Sequence, residues 1–94
     1  GGTGLGPKDL TVETIQPLLK REIPGLMEAS RSFGQKRTPY AALSRGVAGY
    51  IENSLVITLP GSRQGAKESL TAILPALVHL FDVQKNIPHA GGYQ

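Results

Sequence analysis

Residues 55–78 read LVITLPGSRQGAKESLTAILPALV, and the change of period inside this stretch decides the fold. From Leu55 to Leu59 the chain is apolar on both faces except at Thr58. That pattern belongs to a strand covered from two sides. Pro60, Gly61 and Ser62 then break the strand. Beyond them Ala66, Leu70, Ile73, Leu74, Leu77, Val78 and Phe81 recur at three- and four-residue steps, which predicts a long helix with a wide buried face. Pro75 is expected to divide that helix, sitting in the first turn of a second piece. A strand that feeds through a short loop into a helix is the repeating element of α/β folds.

Working outward, residues 47–54 supply a first strand and a turn at Glu52-Asn53-Ser54, so two strands are expected here. Thr38 can cap a short helix over 39–45, with Pro39 at its first position and Gly46 as its stop. Residues 26–37 are ambiguous and can carry a second short helix running into a loop. Further upstream a helix begins near Thr11, an N-cap candidate, with Glu13 in its first turn and Leu10 and Ile15 placed as a hydrophobic staple. Pro17 should kink that helix or delay its regular part, and Ile23-Pro24-Gly25 is expected to end it. Residues 1–9 are loop, and 84–94 read as an irregular tail. The order predicts an α/β domain whose sheet is covered on both faces. Two or three strands are few for such a sheet, so it is expected to be incomplete.

A chain of 94 residues forms one domain at most and buries roughly 60–65% of its unfolded surface. Its 12 glycines and 7 prolines are scattered without period, as short elements joined by tight turns require. There is no cysteine, hence no disulfide and no thiolate metal site. No run approaches the ~20 apolar residues of a membrane span, and no leader pattern is visible. The expectation is a soluble, cytoplasmic protein without a membrane partner. The net charge of +3 is spread along the chain and aromatics are few, which argues against nucleic acid and suits a small phosphorylated ligand better.

Four segments carry candidate chemistry. Gly1-Gly2-Thr3-Gly4-Leu5-Gly6 lets the backbone approach an anion and presents several N–H groups together, although its spacing is not that of a dinucleotide loop. It reads equally as a flexible terminus. Leu59-Pro60-Gly61-Ser62 delivers a strand into a helix N-terminus, where free N–H groups and the dipole favour phosphate or carboxylate. Ser62 reads there as an N-cap, as a ligand contact, or as both. Asp9, beside the glycine loop, is either a helix-entry residue or a carboxylate that holds Mg²⁺ against a phosphate. Arg45, in Ser44-Arg45-Gly46, is either a solvated cation at a helix end or a bidentate phosphate contact. His79 and His89 lack metal-ligand spacing.

Read together, Gly1–Gly4, Pro7–Thr11, Glu22–Gly25, Ala42–Gly49, Leu59–Ser62 and Ile73–His79 resemble, in order, the motifs of the molybdopterin-binding domain family of molybdenum cofactor biosynthesis. That family includes molybdopterin adenylyltransferases and gephyrin-type domains. The resemblance implies a three-layer α/β/α fold with a mostly parallel sheet, a homotrimer, and binding of molybdopterin. It also implies transfer of AMP from Mg-ATP to the molybdopterin phosphate. Carried over, Gly1, Gly2, Thr3 and Gly4 form part of the nucleotide-phosphate loop, and Asp9 matches the family's essential aspartate, a metal ligand. Ser44, Arg45, Pro60, Gly61 and Ser62 match ligand-site segments. Family domains carry an upstream portion that this sequence does not contain. The expectation is therefore the C-terminal portion of a domain whose N-terminal half lies elsewhere, a separate polypeptide being one option. A binding-only or scaffold domain is one alternative. A competence-damage-inducible type of domain is another, although Thr3 and the single Asp9 depart from its loop.

Overall fold

The computed structural model describes residues 1–84; the expected tail and His89 lie outside the described residues, apart from Gln84. Two short elements follow the glycine loop. Helix α1 spans Thr11–Ile15. Leu10, not Thr11, occupies the capping position, and it offers no side-chain cap. The first free N–H of the helix, on Thr11, is instead taken by the Gly2 carbonyl at 3.1 Å. Pro17 has no N–H and its ring would collide with the carbonyl four residues back, so the α-helix stops and a 3-10 turn, Gln16–Leu18, takes over.

Strand β1, Arg21–Glu22, follows. Ile23-Pro24-Gly25 then starts a helix, where the sequence pattern suggested an end. Pro24 stands at the first position of α2, Pro24–Gly34, where its missing N–H is no loss and its φ is already helical. Residues 26–34 are therefore helical, with Leu26, Met27 and Gly34 buried. The expected helix over 39–45 is a 3-10 turn, Pro39–Leu43. Its start is as expected, with the Thr38 hydroxyl accepting the Tyr40 N–H at 3.2 Å. It stops early because Ser44 is extended and the Arg45 N–H is held by the Thr3 carbonyl at 2.9 Å.

Strands β2, Ala48–Ile51, and β3, Ser54–Ile57, form a hairpin. Its two-residue turn puts Glu52 at a φ of 52°. Strand β1 pairs with the other edge of β2. The α/β class is the one expected. Within it, all described strand pairs are antiparallel, where the family resemblance implied a mostly parallel sheet. For β2 and β3 the reason is the short connection: two residues reverse a strand, whereas a parallel crossover needs a dozen or more; β1 meets β2 antiparallel after a long connection that contains α2. Thr58, the polar exception in an apolar run, is buried. Its hydroxyl accepts the Val47 N–H at 2.9 Å and donates to the Val47 carbonyl at 3.2 Å, closing the hairpin where regular pairing ends.

Helix α3 runs without a break over Arg63–Gln84, so Pro75 does not divide it. Pro75 is exposed, where water can hydrate the carbonyl its ring leaves unpaired. The buried stripe is narrow: Gly65, Ser69, Ile73 and Leu77, four residues apart. Small residues at its start let α2 approach, and the Ser30 hydroxyl donates to the Ser69 hydroxyl at 2.7 Å. Ile73 is fully buried and joins Leu26, Met27, Ala48 and Leu77 in the core. Leu70, Leu74, Val78 and Phe81, expected inside, are exposed. Leu55, Val56 and Ile57 are likewise only half-buried, so β3 is not enclosed from two sides by the described residues. Among those residues no helix is long and apolar enough to cross a membrane.

Candidate functional site

The two loops singled out in the sequence lie side by side. The Gly1 nitrogen donates to the Leu59 carbonyl at 2.8 Å. A Cβ placed on Gly1 would stand 3.4 Å from the Gly61 Cα, so the two backbones are in contact. Gly2 turns the chain at a φ of +75°, a region in which only glycine is at ease. This turn directs Thr3 and Gly4 into a cleft of about 290 Å³ that also takes in Ser44, Pro60 and Ser62. The far wall comes from Arg31 on α2, Arg37 in the connection that follows, Tyr40 and Leu43 on the 3-10 turn, and Glu68 on α3.

The α3 N-terminus opens onto this cleft. Its cap is the Ser62 hydroxyl, which accepts the Gly65 N–H at 3.0 Å. Ser62 is thus an N-cap, and it lines the cleft as well. Thr3, Gly4, Ser44, Pro60 and Ser62 line it together, while Gly1 and Gly61 form the backbone contact beside it and Gly2 packs against Thr11.

Arg45 is placed differently. Its Nε donates to the Gly4 carbonyl at 2.8 Å and its Nη2 to the Asp9 carbonyl at 3.0 Å. Its Nη1 meets Glu13 Oε2 at 2.5 Å. The guanidinium therefore clamps the glycine loop to α1 from outside the cleft. The Arg45 hydrogen bond, followed by the backbone N–H of Glu13, holds the Glu13 carboxyl below its ordinary value of 4.5. The same hydrogen bond raises the Arg45 pKa.

Asp9 folds back on its own loop. Its Oδ2 accepts the Gly6 N–H at 2.8 Å, and its N–H returns to the Gly6 carbonyl at 3.0 Å. A Cβ on Gly4 or Gly6 would lie 2.9 or 3.0 Å from that oxygen, so the glycines make room for a carboxylate under the loop. The second oxygen, Oδ1, makes no hydrogen bond among the described residues. No group of three His, Cys, Asp or Glu side chains gathers there among them. One carboxylate is not a protein cage, though Mg²⁺ is commonly held by one or two carboxylates plus substrate phosphates; Asp9 lies under the glycine loop and is not among the residues that line the cleft.

Sequence reasoning missed the far wall. Arg31, Arg37, Tyr40 and Glu68 carry no motif, and the segment holding Arg31 had no settled structure. The helical spacing of Leu26, Met27 and Ser30 was the available signal.

These features define a class: an α/β domain in which two backbone loops and a helix N-terminus converge on one cleft suited to an anion. The family model described as "Probable molybdopterin binding domain" matches residues 1–79. The chain belongs to that family. It is 44% identical over 90 residues to the molybdenum cofactor biosynthesis bifunctional protein of Chlorobaculum tepidum, covering 96% of this chain and 29% of that protein. It is 41% identical over 83 residues to the molybdenum cofactor biosynthesis protein B of Staphylococcus aureus, covering 85% of this chain and 49% of the relative. Among solved structures, the molybdopterin biosynthesis enzyme MoaB from Thermus thermophilus superposes with a TM-score of 0.81 at 52% identity. That match covers 94% of this chain and 55% of the other. A molybdopterin biosynthesis protein from Mycobacterium abscessus gives 0.85 at 38% identity, over 93% and 56%. The chain thus spans about half the length, or less, of these relatives.

Proposed function

We propose that this chain forms part of a domain in molybdenum cofactor biosynthesis that binds molybdopterin and transfers AMP from Mg-ATP to its phosphate. The observation that supports the reading is the contact of the Gly1 backbone, at the start of the glycine loop, with Leu59 and Gly61. It puts two sets of backbone N–H groups and the α3 N-terminus beside one cleft, the arrangement that binds phosphates. The N–H groups of Gly2 to Gly4 and of Gly61 to Arg63 hold phosphate oxygens, and Thr3, Ser44, Pro60 and Ser62 shape the cleft. Asp9 offers Oδ1 to Mg²⁺, while Gly6 fixes its Oδ2. When bound, the metal neutralises charge on the phosphates. The chemistry is positioning and electrostatics: a molybdopterin phosphate oxygen attacks the α-phosphorus of ATP and pyrophosphate leaves. Arg45 acts by holding the loop in shape. A cytoplasmic homotrimer belongs to the same proposal, as does coverage of the exposed Leu70, Leu74, Val78 and Phe81 by the rest of the domain, from whichever polypeptide.

The test is Asp9→Asn in the intact protein, read as AMP incorporation with ATP, Mg²⁺ and molybdopterin. Transfer should fall by about two orders of magnitude; near-normal transfer removes Asp9 from the role. A binding-only domain is the second reading, favoured by the engagement of Asp9 Oδ2 with its own loop. Molybdopterin binding without pyrophosphate release on adding Mg-ATP would establish it.

A further inference from the structure

We infer that Arg31, together with the Thr3 hydroxyl, recognises the anionic group of the cleft's ligand; the inference rests on the phosphate-ligand reading above. The charges lining the cleft decide which cation can serve. Arg37 and Glu68 face each other with 2.6 Å between Nε and Oε2, and their charges cancel. Arg45, the arginine the sequence motif suggested, is not among the lining residues, and its guanidinium is occupied by Gly4, Asp9 and Glu13. Arg31 is left. It is half-buried and no carboxylate among the described residues lies within ion-pair distance. Its one hydrogen bond there runs from Nη1 to the Ser44 carbonyl at 3.2 Å. A guanidinium has five N–H donors in a planar fork, so most of this one is open. An oxyanion is the partner whose geometry matches the fork.

Thr3 points to the same kind of ligand independently. It is 7% exposed and lines the cleft, and its hydroxyl, unused by any hydrogen bond among the described residues, is open to a ligand there. A single peptide unit links the two residues. The carbonyl of the Ser44–Arg45 peptide accepts from Arg31, and its N–H donates to the Thr3 carbonyl at 2.9 Å. A planar trans peptide fixes those two directions relative to each other. The cation sits on a regular helix, α2, and the hydroxyl on the clamped loop, so both are held before a ligand arrives. The ligand class is a phosphate ester or a similar oxyanion that takes a two-pronged guanidinium contact and one hydroxyl donor.

The experiment titrates the intact protein, under anaerobic conditions, with molybdopterin and with the same compound after enzymatic removal of its phosphate, following pterin fluorescence. Wild type should prefer the phosphorylated form. Arg31→Met should weaken that form about 10- to 100-fold and leave the dephosphorylated form within about threefold, so the preference collapses. Arg31→Lys, which keeps the charge but not the fork, should lose part of the preference, and Arg37→Met should keep it. An undiminished preference in Arg31→Met, or equal weakening of both forms, overturns the inference. Should Arg31→Met fail to fold, an unchanged preference in Arg31→Lys does the same. If wild type binds neither pterin, the molybdopterin reading fails by itself. Inorganic pyrophosphate then serves as the probe: Arg31→Met should bind it at least tenfold more weakly than wild type, and equal binding overturns the Arg31 assignment.

Discussion

Gly2→Ala tests whether the glycine loop is a built structure. Gly2 sits at a φ of +75°, and an L-residue there costs about 1–2 kcal/mol. A second penalty is steric. The new methyl group would collide with the Thr11 hydroxyl oxygen and stand 3.0 Å from the Thr11 Cβ and 3.3 Å from the Thr11 nitrogen. Overpacking of this kind costs typically about 1–3 kcal/mol. The nearest atom belongs to a side chain that can rotate, but the Cβ and nitrogen cannot move without shifting the start of α1. The two penalties together give about 2–5 kcal/mol against the docked loop. The loss of global stability is capped by the docking free energy of the loop itself, because the chain can release residues 1–4 and keep its core.

That cap selects the assay. The Thr11 N–H donates to the Gly2 carbonyl at 3.1 Å, so its hydrogen-exchange protection reports docking directly. In Gly2→Ala this protection should fall at least tenfold, while amides of α3 around Ile73 keep theirs. In a Thr11→Ala background the collision with the hydroxyl no longer exists. The penalty of Gly2→Ala should then drop by about 1–2 kcal/mol, a coupling of the size found between touching residues. Molybdopterin affinity should follow the same order as Thr11 protection. Wild-type protection in Gly2→Ala, or identical effects in both backgrounds, would refute the reasoning and leave residues 1–4 as an unstructured lead-in.

Three further outcomes are expected. Ile73→Ala, at a fully buried position, should lower unfolding free energy by about 3–4 kcal/mol in urea denaturation. Gly49→Ala would drive a methyl group into the Arg21 carbonyl oxygen and to 2.9 Å from the Glu22 Cα. It should cost about 1–3 kcal/mol and abolish exchange protection of the Lys20 and Ile23 amides, which bond across to β2. The Glu13 carboxyl is held below 4.5 in the fold, so its contribution is present above that pH and lost as pH falls through the lowered value. Exchange at Thr11 should therefore accelerate in strongly acid solution in wild type but lose that step in Glu13→Gln.

Much of the fold was legible because local physics decides it. The apolar run Leu55–Ile57, the break at Pro60-Gly61 and the Ser62 cap each act within a few residues, and the helix after them stands where its period says. Prolines were legible only when their position in a helix was known. Pro17 stops a helix, Pro24 starts one and Pro75 rides inside one, so the residue type alone does not say which. The burial of α3 was overestimated for a related reason. Leu70 and Leu74 share the period of Ile73 and Leu77, but period alone does not say which stripe meets a neighbour. Helix α2 covers one narrow strip, and the apolar residues to its side stay exposed.

The arginines show where sequence reasoning about the site stops. Spacing alone favoured Arg45 as a solvated cation at a helix end, and only the family resemblance placed it in a ligand-site segment. Arg31 lies on an undistinguished stretch of helix. What separates them is the location of counter-charges, and these come from far along the chain: Glu13 is 32 residues from Arg45, and Glu68 is 31 from Arg37. A guanidinium already matched to a carboxylate and two carbonyls has little left for a ligand, whereas one matched only to a carbonyl has most of its fork to offer. Motif recognition finds the segments that build such a site. The cation that works in it is found by asking, residue by residue, which charge the fold has left unanswered.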